Sequence, residues 1–332
     1  MPGAPEWAAA VLATAPAPVP IPDCPAGTGV VGVVVPTHND GPNIGRLLSL
    51  LLAEPCVGDV VVVASGCDDE TVPTVRELAA GHEGRVRLYV EAERSGKAAA
   101  MNFGLGEVGL PYALVVSGDV LPGDGSVQRL VDALSEPGVG MAGGRPVPVN
   151  PPTTAVGHAA HLLWRLHHRL ALRQPKLGEM VALRSEAVVS LPRTSVDEAC
   201  FQALLEAGGW RSVYVPEAVI LNRGPGTAAD FVKQRRQVHT GHLWLRHRQH
   251  YTVPSLHPLL LAAELWNDLR DEAQWREPRR VAWTVATVAM EACARTLARA
   301  DYVRGRENHV WEMVTSTKGP TLVADGLGAG HR

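Results

Sequence analysis

The stretch ALVVSGDVLP, residues 113–122, runs from four apolar residues, Ala113, Leu114, Val115 and Val116, straight into a serine, a glycine and a carboxylate. An uninterrupted apolar run of this length reads as a strand covered on both faces, as in a parallel sheet flanked by helices. Its exit delivers Asp119 to the strand's carboxyl end, where open α/β sheets bind ligands. Two further runs of the same kind, VVGVVV (30–35) and DVVVVA (59–64), lie upstream. Each precedes a helical spacing of apolar residues: NIGRLLSLLL (43–52), with Asn43 as its expected cap, and TVPTVRELAA (71–80), ended by Gly81. RVRLYVEA (85–92) and YALVVSGD (112–119) supply two more strands. The order predicts an α/β fold in which PTHND (36–40), SGCDDET (65–71) and SGDV (117–120) share one rim.

A second block follows from about residue 145 to 249. It holds an expected helix at 153–172, a strand in GEMVALRS (178–185), a helix in DEACFQALLEAG (197–208), a strand in RSVYVPEAVI (211–220) and a long polar helix starting near Thr227. Residues 251–318 read as helical, with Val281, Val285, Val288 and Ala292 along one face. No run there reaches the roughly 18 apolar residues a transmembrane span needs. The Pro- and Ala-rich start, residues 1–28, lacks the basic n-region of a signal peptide and reads as a loose leader, and residues 321–332 read as a disordered tail.

Composition narrows the function. The 332 residues are 46% hydrophobic and 20% charged, ordinary for a globular chain with a sizeable core, and the net charge of −3 offers no basic footprint for nucleic acid. Five cysteines, without a C-x-x-C pair, point to a reducing compartment rather than to a disulfide framework or zinc site. Gly27, Gly29 and Gly32 satisfy G-x-G-x-x-G, but they precede and enter the first strand instead of following one, which counts against a dinucleotide site. Asp119 is different. A lone carboxylate held at a strand end, with Gly118 letting a ligand approach the backbone, suits Mg²⁺ or Mn²⁺ in phosphate chemistry. The plain alternative is an aspartate capping a helix that begins near Gly125.

The order VVVPTHND, VVVASGCDDET, RSGKAAAMNFGL, VVSGDVLP, DEACFQALLEAGGW, QRRQ resembles the family 2 nucleotide-sugar glycosyltransferases of the GT-A fold over residues 30 to 245. The resemblance implies a mixed sheet flanked by helices, residues 29–249, with a nucleotide-sugar half to residue 144, an acceptor half from 145, and a helical extension at 250–320. It implies donor contacts from Pro36, Thr37, Asn39 and Asp40, and from Ser65, which stands where the family has an aspartate. Asp69 matches a downstream aspartate, with capping of the next helix as its other reading. Gly96, Lys97 and Asn102 match the third segment, with Lys97 suited to a diphosphate. Asp119 matches the second aspartate of the Asp-x-Asp motif and so a metal ligand, while Ser117 replaces the first. His239 and His242 are candidates to complete the metal shell.

Asp197 and Glu198 match the acidic pair that supplies the base for an inverting transfer; counting back from Gly209 and Trp210 puts Glu198 at the usual position, but the two are not separated. Gln234, Arg235 and Arg236, implied as donor contacts with Arg235 or Arg236 neutralising diphosphate charge, begin the family's Gln-x-x-Arg-Trp motif, which Gln237 and Val238 then break; the loss of its tryptophan counts against a polymer synthase. Glu179 and Trp210 fall on the acceptor side. The four histidines at 158, 161, 167 and 168 read as part of an amphipathic wall rather than a metal site. The implied protein moves a sugar, expected from UDP, onto a hydroxyl acceptor, is cytoplasmic, and uses its C-terminal helices for packing, a homodimer contact or a peripheral membrane contact. The rival readings are a sugar-phosphate nucleotidyltransferase and a non-catalytic sugar-nucleotide binder.

Overall fold

The computed structural model describes residues 29–321 except 83, 272, 273 and 308. The expectations for the leader and for all but the first residue of the tail lie outside the described residues. Eight strands form one sheet: β1 (Val31–Thr37), β2 (Val57–Ser65), β3 (Val86–Glu91), β4 (Tyr112–Val116), β5 (Leu121–Pro122), β6 (Val139–Pro148), β7 (Met180–Arg184) and β8 (Arg211–Asn222), in the order β3-β2-β1-β4-β7-β6-β8-β5. β1, β2, β3 and β4 are parallel, β7 runs antiparallel to both β4 and β6, and β6 pairs β8 in parallel. The helices are α1 (Gly41–Ala53), α2 (Thr71–Gly81), α3 (Lys97–Glu107), α4 (Ser126–Leu134), α5 (Ala155–Arg173), α6 (Asp197–Ala207), α7 (Ala228–Gln249), α8 (Pro258–Asp271) and α9 (Pro278–Val303).

The apolar runs become central strands because both of their faces are covered. Along β1, Val33 and Val35 join the core built with Ile44, Leu47, Leu48 and Leu51 of α1, whereas Val34 joins a second core with Met101 of α3 and Phe201 of α6. The same alternation splits β4: Leu114 and Val116 face the first core, Ala113 and Val115 the second. β6 is absent from the sequence reading, because VGMAGGRPVP carries three glycines and two prolines, yet it is nearly all buried between β7 and β8. The expected division between residues 144 and 145 falls inside this strand, so one sheet spans both halves. Asn43 does not cap α1. The helix starts at Gly41 with Asp40 at the cap position, and Asn43 is a buried helical residue.

Beyond α7 the chain folds back. α9 packs along α7 and α5, and α8 along α5. Arg236 of α7 is bound in bidentate fashion by Asp301 of α9, and Arg165 of α5 by Asp268 of α8 at 2.8 and 3.1 Å. Residues 315–321 then cross to α1: Asn43 Nδ2 donates to the Gly319 carbonyl at 3.1 Å, and the Thr321 amide donates to Asn43 Oδ1 at 2.7 Å. No described helix is long and apolar enough to cross a membrane.

Candidate active site

The strand ends converge because Gly118 has no side chain. A Cβ there would stand 2.5 Å from Asp40 Oδ2 and 2.6 Å from Thr37 Oγ1, closer than atoms pack, so the exit of β4 lies directly against that of β1. The glycine is required for this contact with the chain's own side chains. Asp40 is 2% exposed; it accepts from Thr37 Oγ1 at 2.7 Å and from the His38 amide at 3.2 Å. Burial raises its carboxyl above the ordinary range, the neighbouring Asp119 adds to this, and Lys318 opposes it. The Lys318 ammonium bridges the two carboxylates, 2.5 Å from Asp40 Oδ1 and 3.3 Å from Asp119 Oδ2.

Across the same cavity, of about 650 Å³, lies a second charged set. Asp197 and Glu198 open α6, and Lys97 opens α3; Lys97 Nζ sits 2.5 Å from Glu198 Oε1 and 3.8 Å from Asp197 Oδ2. Burial pushes Asp197 up to about 7, partly offset by Lys97 and reinforced by Glu198, and its Oδ1 is buried without a hydrogen-bond partner. Glu198 moves the other way: burial alone would raise it, but the contact with Lys97 holds it below the usual range. Glu179 precedes β7 at φ 66°, a left-handed backbone that a non-glycine residue adopts at a cost. Burial, Asp119 and Glu198 push its carboxyl up to about 7.

Pro36, Thr37, Asp40, Ser65, Gly96, Lys97, Ser117, Asp119, Glu179, Asp197, Glu198, Gln234, Arg235 and His242 all line this cavity. Other expected site residues are engaged elsewhere. Asn39 exchanges hydrogen bonds with Asp68, at 2.5 and 3.0 Å. Asp69 accepts from the Gly41 amide and the Thr71 amide, both at 2.9 Å, and so ties together the starts of α1 and α2, whose cap positions are held by Asp40 and Glu70. Asn102 clamps Leu191 through both its side-chain atoms at 2.8 Å. Trp210 packs with the second core, against Gly140 of β6. Arg236 is committed to Asp301. His239 is bonded to Glu291 Oε2 at 2.7 Å, and burial pushes it down to about 4; among the described residues no group of three or more metal-binding side chains unites either histidine with Asp119. Ser65 is partly committed, its Oγ accepting from the Ser95 amide at 3.1 Å.

Sequence reasoning missed Lys318 and Lys176. Lys318 reaches Asp40 across 278 residues, and nothing in TSTKGPT marks it; Lys176 lines the cavity from the loop between α5 and β7.

Comparison with known proteins bears on the fold that carries these residues. The family model Glycosyl transferase family 2 matches residues 32–191. Glycosyltransferase AglE of Haloferax volcanii is 26% identical over 117 residues, 34% of this chain and 38% of that protein, so the chain spans well under half the length of this curated relative. Among solved structures, mannosyltransferase PcManGT from Pyrobaculum calidifontis, in complex with GDP-Man and Mn²⁺, superposes with a TM-score of 0.60 at 22% identity, covering 91% of this chain and 95% of that one. The matched block, just under half of the chain, holds the parallel strands and the rim bearing Asp40, Lys97 and Asp119; over it the chain is similar to glycosyl transferase family 2, and its fold is that of the GT-A glycosyltransferases.

Proposed function

We propose that the protein is an inverting glycosyltransferase that takes a sugar from a nucleoside diphosphate donor and transfers it to a hydroxyl-bearing acceptor. The observation that carries this reading is the cation bridge between Asp40 and Asp119, which shares one cavity with the Lys97–Asp197–Glu198 set. The bridge is also the test of whether a divalent ion fits. Two carboxylates already hold one positive charge between them, in the form of the Lys318 ammonium, so Asp119 and Asp40 are a donor set suited to Mg²⁺ or Mn²⁺ once Lys318 withdraws. When bound, such an ion would neutralise the diphosphate of the leaving nucleotide.

The chain's own residues supply the rest. Lys97 stands on the helix start after Gly96 as a mobile point charge able to pass from Glu198 to a donor phosphate. Its departure would release the acidic pair, which then receives the acceptor's proton as the hydroxyl attacks the anomeric carbon. The pair titrates as a unit, burial raising the Asp197 carboxyl while the contact with Lys97 lowers that of Glu198. PcManGT has the same fold and is described with GDP-Man, so GDP-sugars belong beside UDP-sugars in the donor test. Asp119→Asn is expected to abolish Mn²⁺-dependent donor turnover without unfolding the protein, since its side chain is 27% exposed and bonded only to Lys318 among the described residues. Near-normal turnover in that variant would refute the proposal.

A further inference from the structure

Besides the rim, the cavity is lined by Leu162, Leu166 and Leu170 of α5, Leu261 and Leu265 of α8, and Val288 of α9. Val288 is 47% exposed, so this apolar part opens to solvent between the C-terminal helices. The same two helices present Leu259, Trp266 and Val285 at 85%, 68% and 64% exposure. A nucleotide sugar has no use for such a lining, and neither does a small polar acceptor.

The cavity also holds cations that neither the Asp40–Asp119 bridge nor the Lys97 set engages. Lys176, Arg235 and Arg295 line it beside Glu291, the carboxylate that acts on Lys176 and that is already shared by Arg235, by Arg295 at 3.8 Å and by His239 at 2.7 Å; the cavity's other carboxylates are those of the two charged sets described above. Lys176 makes no hydrogen bond or ion pair with any described residue. Burial, then Arg235 and Arg295, push its ammonium down to about 7, with Glu291 opposing. His167 and His242, 7% and 4% exposed, line the same cavity, and each keeps a buried Nδ1 without a partner. Glu291 is thus taken up by other partners, and Lys176 is left without a carboxylate of its own. Ring nitrogens withdrawn from water without partners are costly unless a ligand completes them, and Lys176, half-buried beside two guanidinium groups, lacks a pair of its own. A phosphate ester offers the matching charge and enough acceptor oxygens for an ammonium and two guanidinium groups at once.

We infer that this part of the cavity is the acceptor site and that the acceptor is an amphiphile, its hydrocarbon tail lying between α5, α8 and α9 and a phosphate ester engaging Lys176, Arg235 and Arg295. The inference rests on the transferase reading for the word acceptor, but the binding chemistry stands on its own. The phosphate is an anchor here, and the hydroxyl that receives the sugar is unchanged.

The test is calorimetric titration of the full chain, without metal or nucleotide sugar, using octyl phosphate, octan-1-ol and inorganic phosphate. Octyl phosphate is expected to bind at least tenfold more tightly than either of the other two. Lys176→Met is expected to weaken it at least tenfold, and Leu265→Trp, which fills the channel, to bring it down to the affinity of inorganic phosphate; thermal melts of each variant establish that it folds. Equal binding of inorganic and octyl phosphate would mean a bare anion site, and equal binding of octanol would mean an apolar pocket with no anion site; either overturns the inference, as does an unchanged Lys176→Met. Nucleotide-sugar titrations on the same preparation separate the two claims. Donor binding without octyl phosphate binding refutes the amphiphile and spares the transferase, whereas the reverse refutes the donor reading alone.

Discussion

Asp119 and Asp40 sit close enough to share one ammonium, and the consequence is a competition at the level of single atoms. Lys318→Ala leaves two carboxylates, one of them 2% exposed, without their counter-charge. The variant is expected to melt lower than wild type in chelator, by several degrees for a loss of about 1–3 kcal/mol, and to regain stability on adding Mn²⁺ to a greater extent than wild type. Equal Mn²⁺-induced shifts in the two proteins would argue against a shared position. Asp197 allows a second prediction, in pH. Its folded pKa of about 7 lies above the ordinary carboxylate value, so the native state binds more protons than the unfolded chain between about 4 and 7, and stability falls as pH rises through that window. Asp197→Asn mimics the protonated form. It should therefore match wild type in melting temperature at pH 5, exceed it at pH 8, and lose transfer at both, while the wild-type kcat/KM rises through a limb near 7. A variant with unaltered pH-dependence of melting would remove Asp197 from the role.

Among the elements, β4 and its exit do the most to position the site. Gly118→Ala puts a methyl group within 2.6 Å of Thr37 Oγ1 and nearer still to Asp40, so either β4 withdraws from β1 or the Asp40 network breaks. A loss of about 1–3 kcal/mol in denaturant unfolding is expected, with a collapse of donor binding out of proportion to it. Core packing on the other side of β1 is a control: Leu47→Ala, fully buried on α1, should cost about 2–5 kcal/mol and leave donor affinity in the folded fraction unaltered.

The sequence carried the elements in proportion to their periodicity. β1, β2 and β4 were legible as unbroken β-branched runs, and α2 as a periodic helix ended by Gly81. β6 was not, because its glycines and prolines mimic a loop while its neighbours β7 and β8, distant in the chain, supply the pairing that makes it a strand. The candidate site divides along the same line. Residues on short strand exits, such as Thr37, Asp40, Lys97 and Asp119, could be read from local pattern together with a family resemblance. Asp69, Asn102 and Arg236 could not be separated from structural roles, because their partners Gly41, Leu191 and Asp301 are set by packing.

At the scale of the whole molecule, the C-terminal third changes what the sheet can do. α8 and α9 wall the cavity that β1 and β4 open, and the segment 315–321 returns a lysine to the strand tips. The Lys318 contacts span 278 and 199 residues, a separation at which no local pattern carries information. The fold therefore brings a cation, a carboxylate bridge and the Asp197–Glu198 acidic pair into one cavity, and the central claim is that the bridge is where the donor's diphosphate is neutralised. Calorimetric binding of UDP and GDP with and without Mn²⁺, to wild type and to Asp119→Asn, tests it most directly. The account predicts that Mn²⁺ tightens binding of at least one nucleotide tenfold or more in wild type and has no effect in the variant; a Mn²⁺ enhancement that survives in Asp119→Asn would contradict it.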